Sequence, residues 1–239
     1  MTYLKFRDDA YIREDTATVI AHTPEGGIVL DKTIFYPTGG GQPGDSGYLT
    51  WSGETLKIAT TVKSDGDAIA LVPAEPAGLP PIGFVVMQHL DWDRRHRHMR
   101  VHTVLHLLSV VIPLPVSGGA ISLEKGRLDF DMPDAPSDKA ALDAQLNALI
   151  EQDLVVGEDW ISAQDLAANP SLVKTMSVMP PMGKGDVRLV YIGTGAAQID
   201  LQPCGGTHVA RTGEIGRVRV GKIEKKGRQN RRVYVHLDD

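Results

Sequence analysis

Short apolar runs alternating with polar positions, and punctuated by Gly, Pro and Asp, fill the first third of the chain at residues 16–22, 27–35, 56–62 and 68–72. A period of two between turn residues predicts strands. Leu79-Pro80-Pro81 predicts a stiff approach to a boundary, with one further strand at 83–88. Near Asp91 the period changes. Val101, Val104, Leu105, Leu107 and Leu108 recur at helical spacing, and Pro113 and Pro115 end the helix they predict. A strand over 127–131 follows. The stripe Leu142, Leu146, Leu149, Ile150 and Leu154 then predicts an amphipathic helix over 137–154, with Ser137 and Asp138 as caps. Short helical pieces and turns surround 163–169. Strands return at 187–192, 217–223 and 232–237, the last two joined by a turn over 226–230. The pattern predicts an α+β protein: a small N-terminal β-barrel over residues 1–88, then an α+β domain over 89–239 with helices packed on an antiparallel sheet.

Composition narrows the class without naming a function. The 239 residues suffice for one large or two modest domains, and 42% hydrophobic with 23% charged residues is ordinary for a globular chain. Cys204 is the only cysteine, so no intrachain disulfide can form and the thiol is left for a metal or a nucleophilic role. The first ten residues are charged and lack an apolar signal core. The longest apolar run, 104–116, is broken by His106, Ser109, Pro113 and Pro115, too short and too polar for a membrane span. These features predict a cytoplasmic protein with no membrane association and no evident obligate protein partner.

The net charge of −5 conceals an uneven distribution. Between Arg217 and Arg232 stand Arg217, Arg219, Lys222, Lys225, Lys226, Arg228, Arg231 and Arg232, against Glu224 alone. A second cluster, Arg94, Arg95, Arg97 and Arg100, leads into the first helix. Such clusters are either solvated faces or contacts for a phosphate-rich partner.

Two short segments carry the candidate chemistry. His102 and His106 are four apart, which puts both imidazoles on one helical face. Cys204 and His208 flank Gly205-Gly206-Thr207, where glycines let the backbone fold back so that thiolate and imidazole converge. Cys and His around one point is zinc's preferred donor chemistry. A third segment, Tyr36-Pro37-Thr38-Gly39-Gly40-Gly41-Gln42-Pro43-Gly44-Asp45, lacks the Lys-Ser/Thr ending of a phosphate-binding loop, and its glycines bring backbone amides close to whatever lies against them.

Taken in order, these motifs resemble the AlaX family, free-standing relatives of the editing domain of alanyl-tRNA synthetase. Asp91-Trp92, Arg95, Met99-Arg100 and His102 through Leu108 resemble its metal helix, and Gly126 through Asp131 its next strand. Asp200 and Gln202-Pro203-Cys204-Gly205-Gly206-Thr207-His208-Val209 resemble its second metal motif; Ile215-Gly216 and residues 226–232 resemble its closing basic hairpin. The loop at 36–45 points to the longer AlaX type with an N-terminal barrel. Val104-Leu105 departs from the pattern, where smaller residues are expected between the histidines.

The resemblance implies hydrolysis of tRNA(Ala) charged with a non-cognate amino acid, serine first and glycine as the second candidate. It implies one zinc ion per chain, held by His102, His106, Cys204 and His208, with bound water as nucleophile or, alternatively, Cys204. Four protein ligands would close a tetrahedral ion, so a catalytic and an ordering role for zinc stay open. Candidate substrate contacts are Thr38, Gly39, Gly40, Gly41, Gln42, Ser117, Asp200 and Gln202, the last two competing with a supporting role beside the metal. Candidate tRNA contacts are Lys222, Lys225, Lys226, Arg228, Arg231 and Arg232. The competing functions are a zinc-stabilised tRNA-binding module without catalysis and another zinc-dependent hydrolase on the same scaffold.

Overall fold

The computed structural model describes residues 1–136, 138–175 and 186–238. The chain divides into two compact units, Met1–Arg97 and His98–Asp239, and the boundary falls inside the Trp92–Val111 helix. The α+β class and the N-terminal barrel both hold.

In the first unit six antiparallel strands close a barrel in the order Glu14–His22, Ile28–Leu30, Ile69–Pro73, Glu54–Lys63, Gly47–Trp51, Val85–Leu90. Alternation drives the closure: Val19, Leu30, Leu49, Ile58, Leu71 and Val86 are fully buried in the barrel core, and closing the sheet removes its exposed edges. The predicted run 27–35 splits at Asp31 into Ile28–Leu30 and Lys32–Thr33. Gly47–Trp51 escaped the sequence pattern because only Leu49 of its five residues is buried.

Arg95, read from sequence as part of a basic cluster, is wholly buried instead. Its Nε lies 3.1 and 2.9 Å from the two carboxylate oxygens of Asp45, and its Nη atoms donate to the carbonyls of Ala10 and Ile34 at 2.8 and 2.7 Å. Asp45 Oδ2 also accepts from the Tyr36 amide at 2.6 Å, so this ion pair pins both ends of the glycine loop. A buried pair survives when its remaining hydrogen-bonding capacity is filled, as it is here.

Among its described residues the second unit holds two antiparallel sheets: a four-stranded one in the order Val218–Lys225, Asn230–Leu237, Lys125–Asp131, Val116–Ile121, and a three-stranded one in the order Val156–Ser162, Asp186–Ile192, Asp200–Pro203. The helix runs hard against the first sheet. A Cβ on Gly126 would lie 2.7 Å from Val101 Cγ1 and 2.9 Å from Leu105 Cδ1, so glycine there makes room for the large residues of the helix.

The second helix spans Lys139–Glu151; Asp138 caps it by accepting from the Ala141 amide at 2.9 Å, while Ser137 lies outside the described residues. It stops before Leu154 because Asp153 turns the chain with a φ of 49°. Its Asn147 pairs with both backbone groups of Val218 at 2.9 and 3.1 Å, covering the edge strand of the larger sheet. Among the described residues no helix is long and apolar enough to cross a membrane.

Candidate metal centre

One turn of helix separates His102 from His106, and their ring centroids stand 5.4 Å apart on the same face. Helical backbone geometry puts the two side chains on one face. The His208 ring sits 4.3 Å from His102 and 4.6 Å from His106. Cys204 Sγ lies 3.5 Å from His102 Nε2 and 3.3 Å from His208 Nε2. All four ligand atoms fall within 4.8 Å of one another, a cluster able to hold a metal ion.

The donor set fits zinc in kind and in size. Three imidazoles and a thiolate are ligands it prefers, and bonds of about 2.0–2.1 Å to nitrogen and 2.3 Å to sulfur give tetrahedral edges of about 3.3–3.6 Å. Both measured sulfur–nitrogen separations are of that size.

Two histidines are also oriented for binding. Thr103 Oγ1 donates its only hydrogen to the Met99 carbonyl at 2.8 Å, so at 3.1 Å it accepts from His208 Nδ1 and leaves Nε2 bare. His106 Nδ1 donates to Asp200 Oδ2 at 2.9 Å, which turns His106 Nε2 inward. Asp200 is buried, and Lys174 Nζ at 2.6 Å and Gln202 Nε2 at 2.7 Å complete its shell. A carboxylate behind a metal-facing histidine fixes both ring orientation and tautomer.

Electrostatics favour the ligand forms of Cys204 and His208, whereas His106 carries a proton that a bound metal would have to displace. Burial raises the Cys204 thiol pKa, but His102 and His208 outweigh it and hold the group well below the usual thiol range. Burial, then the charge of His102, lowers His208 to about 3. Burial opposes charge on His106, yet its bonds to Asp200 and Cys204 lift it to about 9; burial likewise opposes charge on Asp200, which His106 and Lys174 draw down to about 2. A thiolate beside a neutral imidazole is what a soft cation requires.

Residues 187–234 match the family model described as the second additional domain of threonyl- and alanyl-tRNA synthetases, and residues 7–94 match that of the class II (A) tRNA synthetases. The chain is 34% identical to the alanyl-tRNA editing protein AlaX-M of Methanosarcina acetivorans, covering 100% of both chains. It is 32% identical to the AlaX-M protein of Saccharolobus solfataricus over 98% of each. The chain belongs to the AlaX family of alanyl-tRNA editing proteins. An alanine–tRNA ligase of Pyrobaculum arsenaticum is 31% identical over 92% of this chain, which spans 25% of that enzyme.

The other sites expected from the AlaX resemblance fall in several places. Asp200 and Gln202 stand behind His106, with both Asp200 oxygens engaged and Gln202 Nε2 also 3.2 Å from Ser109 Oγ. Ser117 lies on the Val116–Ile121 strand; its hydroxyl donates to the Asp129 carbonyl at 3.1 Å and accepts from Asn230 at 2.8 Å. The loop carrying Thr38, Gly39, Gly40, Gly41 and Gln42 belongs to the first unit. There Gly39 and Gln42 exchange backbone bonds at 3.1 and 2.9 Å, and Gly40 and Gly41 take φ of 55° and 82°.

The basic hairpin needs a correction. Arg231 is buried and donates to the carbonyls of Gly227, Asn230 and Pro133, so its charge is turned away from any phosphate. Arg232 grips Asp129 at 2.7 and 2.8 Å. Lys222 and Lys226 flank Glu224 at 2.8 and 2.9 Å but stay exposed, as do Lys225 and Arg228. Thr103, Lys174 and Arg188 do not stand out in the sequence as site residues. For Arg188 a signal was available: it is a lone arginine inside the apolar run of Asp186–Ile192, and a charge in a buried strand demands partners.

Proposed function

We propose that this protein hydrolyses the aminoacyl ester of mischarged tRNA(Ala) in trans, in the cytoplasm, with seryl-tRNA(Ala) as substrate and glycyl-tRNA(Ala) as the second candidate. The observation that carries this reading is the convergence of His102, His106, Cys204 and His208 in a chain that aligns end to end with AlaX-M proteins. One zinc ion, when bound, supplies Lewis acidity at the ester carbonyl and an activated water.

The chain's own residues supply orientation. Asp200 and Thr103 hold His106 and His208 with Nε2 toward the cluster. Gln202 has its amide nitrogen taken by Asp200 and Ser109, and we assign its amide oxygen as an acceptor for the ammonium or hydroxyl of the aminoacyl group. The need for such an acceptor is physical. An apolar pocket built for alanine rejects an added hydroxyl by only about 10²-fold, whereas a site that hydrogen-bonds the hydroxyl spares its absence by about 10⁴–10⁵-fold.

The glycine loop at residues 36–45 is assigned to the terminal adenosine or the amino acid. Gly39→Ala is a cleaner probe than a change at Gly40, where positive φ would strain any β-branched residue. An added Cβ at Gly39 meets Tyr36 Oη at an ordinary 3.5 Å. Lys222, Lys225, Lys226 and Arg228 are assigned to the tRNA backbone.

Because four protein ligands close a tetrahedral ion, a zinc-ordered tRNA-binding module is the second reading. Deacylation of seryl-, glycyl- and alanyl-tRNA(Ala), run beside a zinc determination, separates the two. Editing predicts rapid loss of serine with alanine spared. Retained tRNA affinity without hydrolysis selects the binding module.

A further inference from the structure

The turn that carries Cys204 contains two adjacent glycines. Gly205 and Gly206 impose no side-chain restraint, and a Cβ on Gly205 would meet no atom within 4 Å. Yet Cys204 Sγ and His208 Nε2 are 3.3 Å apart. Two of the turn's carbonyls are held by one residue on the neighbouring strand. Arg188 Nη1 donates to the carbonyls of Cys204 and Gly206 at 2.8 and 2.9 Å, and the Arg188 carbonyl accepts from the Cys204 amide at 3.2 Å.

The guanidinium is itself locked. Its Nε and Nη2 reach the two carboxylate oxygens of Glu158 at 2.6 and 2.7 Å, a fork-to-fork pair that fixes its plane. Arg188 is buried, and Glu158 lies on the adjacent Val156–Ser162 strand. A strand needing only stability would be served as well by an apolar side chain, since burying a guanidinium carries a desolvation cost. The carbonyls it satisfies belong to the ligand turn.

We propose that Arg188, braced by Glu158, is a positioning residue that shapes the 204–206 turn so that Cys204 and His208 meet the metal together. The assignment rests on reading the cluster as a zinc centre. It predicts an asymmetric defect, because the hydrogen bonds of the Arg188 guanidinium go to the turn and to Glu158 and not to the histidines of the helix.

The test compares parent, Arg188→Met and Glu158→Gln proteins. Zinc affinity is measured by chelator competition, and the cobalt(II)-substituted proteins report the thiolate-to-metal charge-transfer band, which arises from the Cys204 bond alone. Loss of a group that orients a ligand costs roughly 10–100-fold in metal affinity. Arg188→Met is expected near the upper figure and Glu158→Gln near the lower, with the charge-transfer band weakened in both. A purely structural role would lower the melting temperature while leaving the band and the affinity of folded protein unchanged, and that result overturns the proposal. Should Arg188→Met fail to fold, Glu158→Gln decides alone: parental affinity and an intact band overturn it. If the parent binds neither zinc nor cobalt, the zinc-centre reading fails first and carries this one with it.

Discussion

His102 and His106 stand on a helix whose own backbone bonds set their spacing, whereas Cys204 and His208 leave a glycine turn that outside contacts must shape. The first pair arrives preorganised. Its vulnerability is orientation, met by Asp200 behind His106. The second pair depends on Arg188 for backbone shape and on Thr103 for the tautomer of His208. The candidate metal centre thus joins a half built by local structure to a half built by tertiary contacts, and the two should fail differently.

The largest effect belongs to the ligands. His102→Ala and Cys204→Ala, one from each half, are each expected to abolish deacylation in single-turnover assays while tRNA affinity stays near parental. Near-parental turnover in both would break the comparison at its root.

Smaller losses should separate the halves. Asp200→Asn removes the acceptor charge that orients His106, and zinc affinity is expected to fall roughly 100-fold by chelator competition. Thr103→Val leaves His208 Nδ1 without its acceptor, and a loss of roughly 10-fold is expected. Equal losses would mean that the turn half leans as heavily on its tautomer as the helix half leans on Asp200.

The smallest effect on chemistry is expected from the exposed cations. Changing Lys225, Lys226 and Arg228 to Ala should weaken tRNA binding and flatten its salt dependence by roughly 0.7–0.9 for each phosphate that is no longer neutralised. Hydrolysis of bound substrate should stay near parental. An unchanged salt titration would make these residues a solvated face.

The helix half was legible because its period sits in the residue order: two histidines four apart within an apolar stripe predict one face. The turn half was legible in composition only. Cys, two glycines and His named the donors, but the shape of their turn is written in Arg188 and Glu158, on strands whose pairing no local pattern reveals. The same limit explains the two misread arginines. Arg95 and Arg231 look like surface charge in sequence, and both are buried against carbonyls from distant segments. The strand at Val116–Ile121 went unseen because two adjacent glycines interrupt its alternation.

Zinc K-edge absorption on the purified protein tests most directly whether the two halves share one ion. The account predicts about one zinc per chain with a single sulfur at about 2.3 Å and nitrogens at about 2.0–2.1 Å. A first shell without sulfur, or protein that is fully active with no metal, would contradict it.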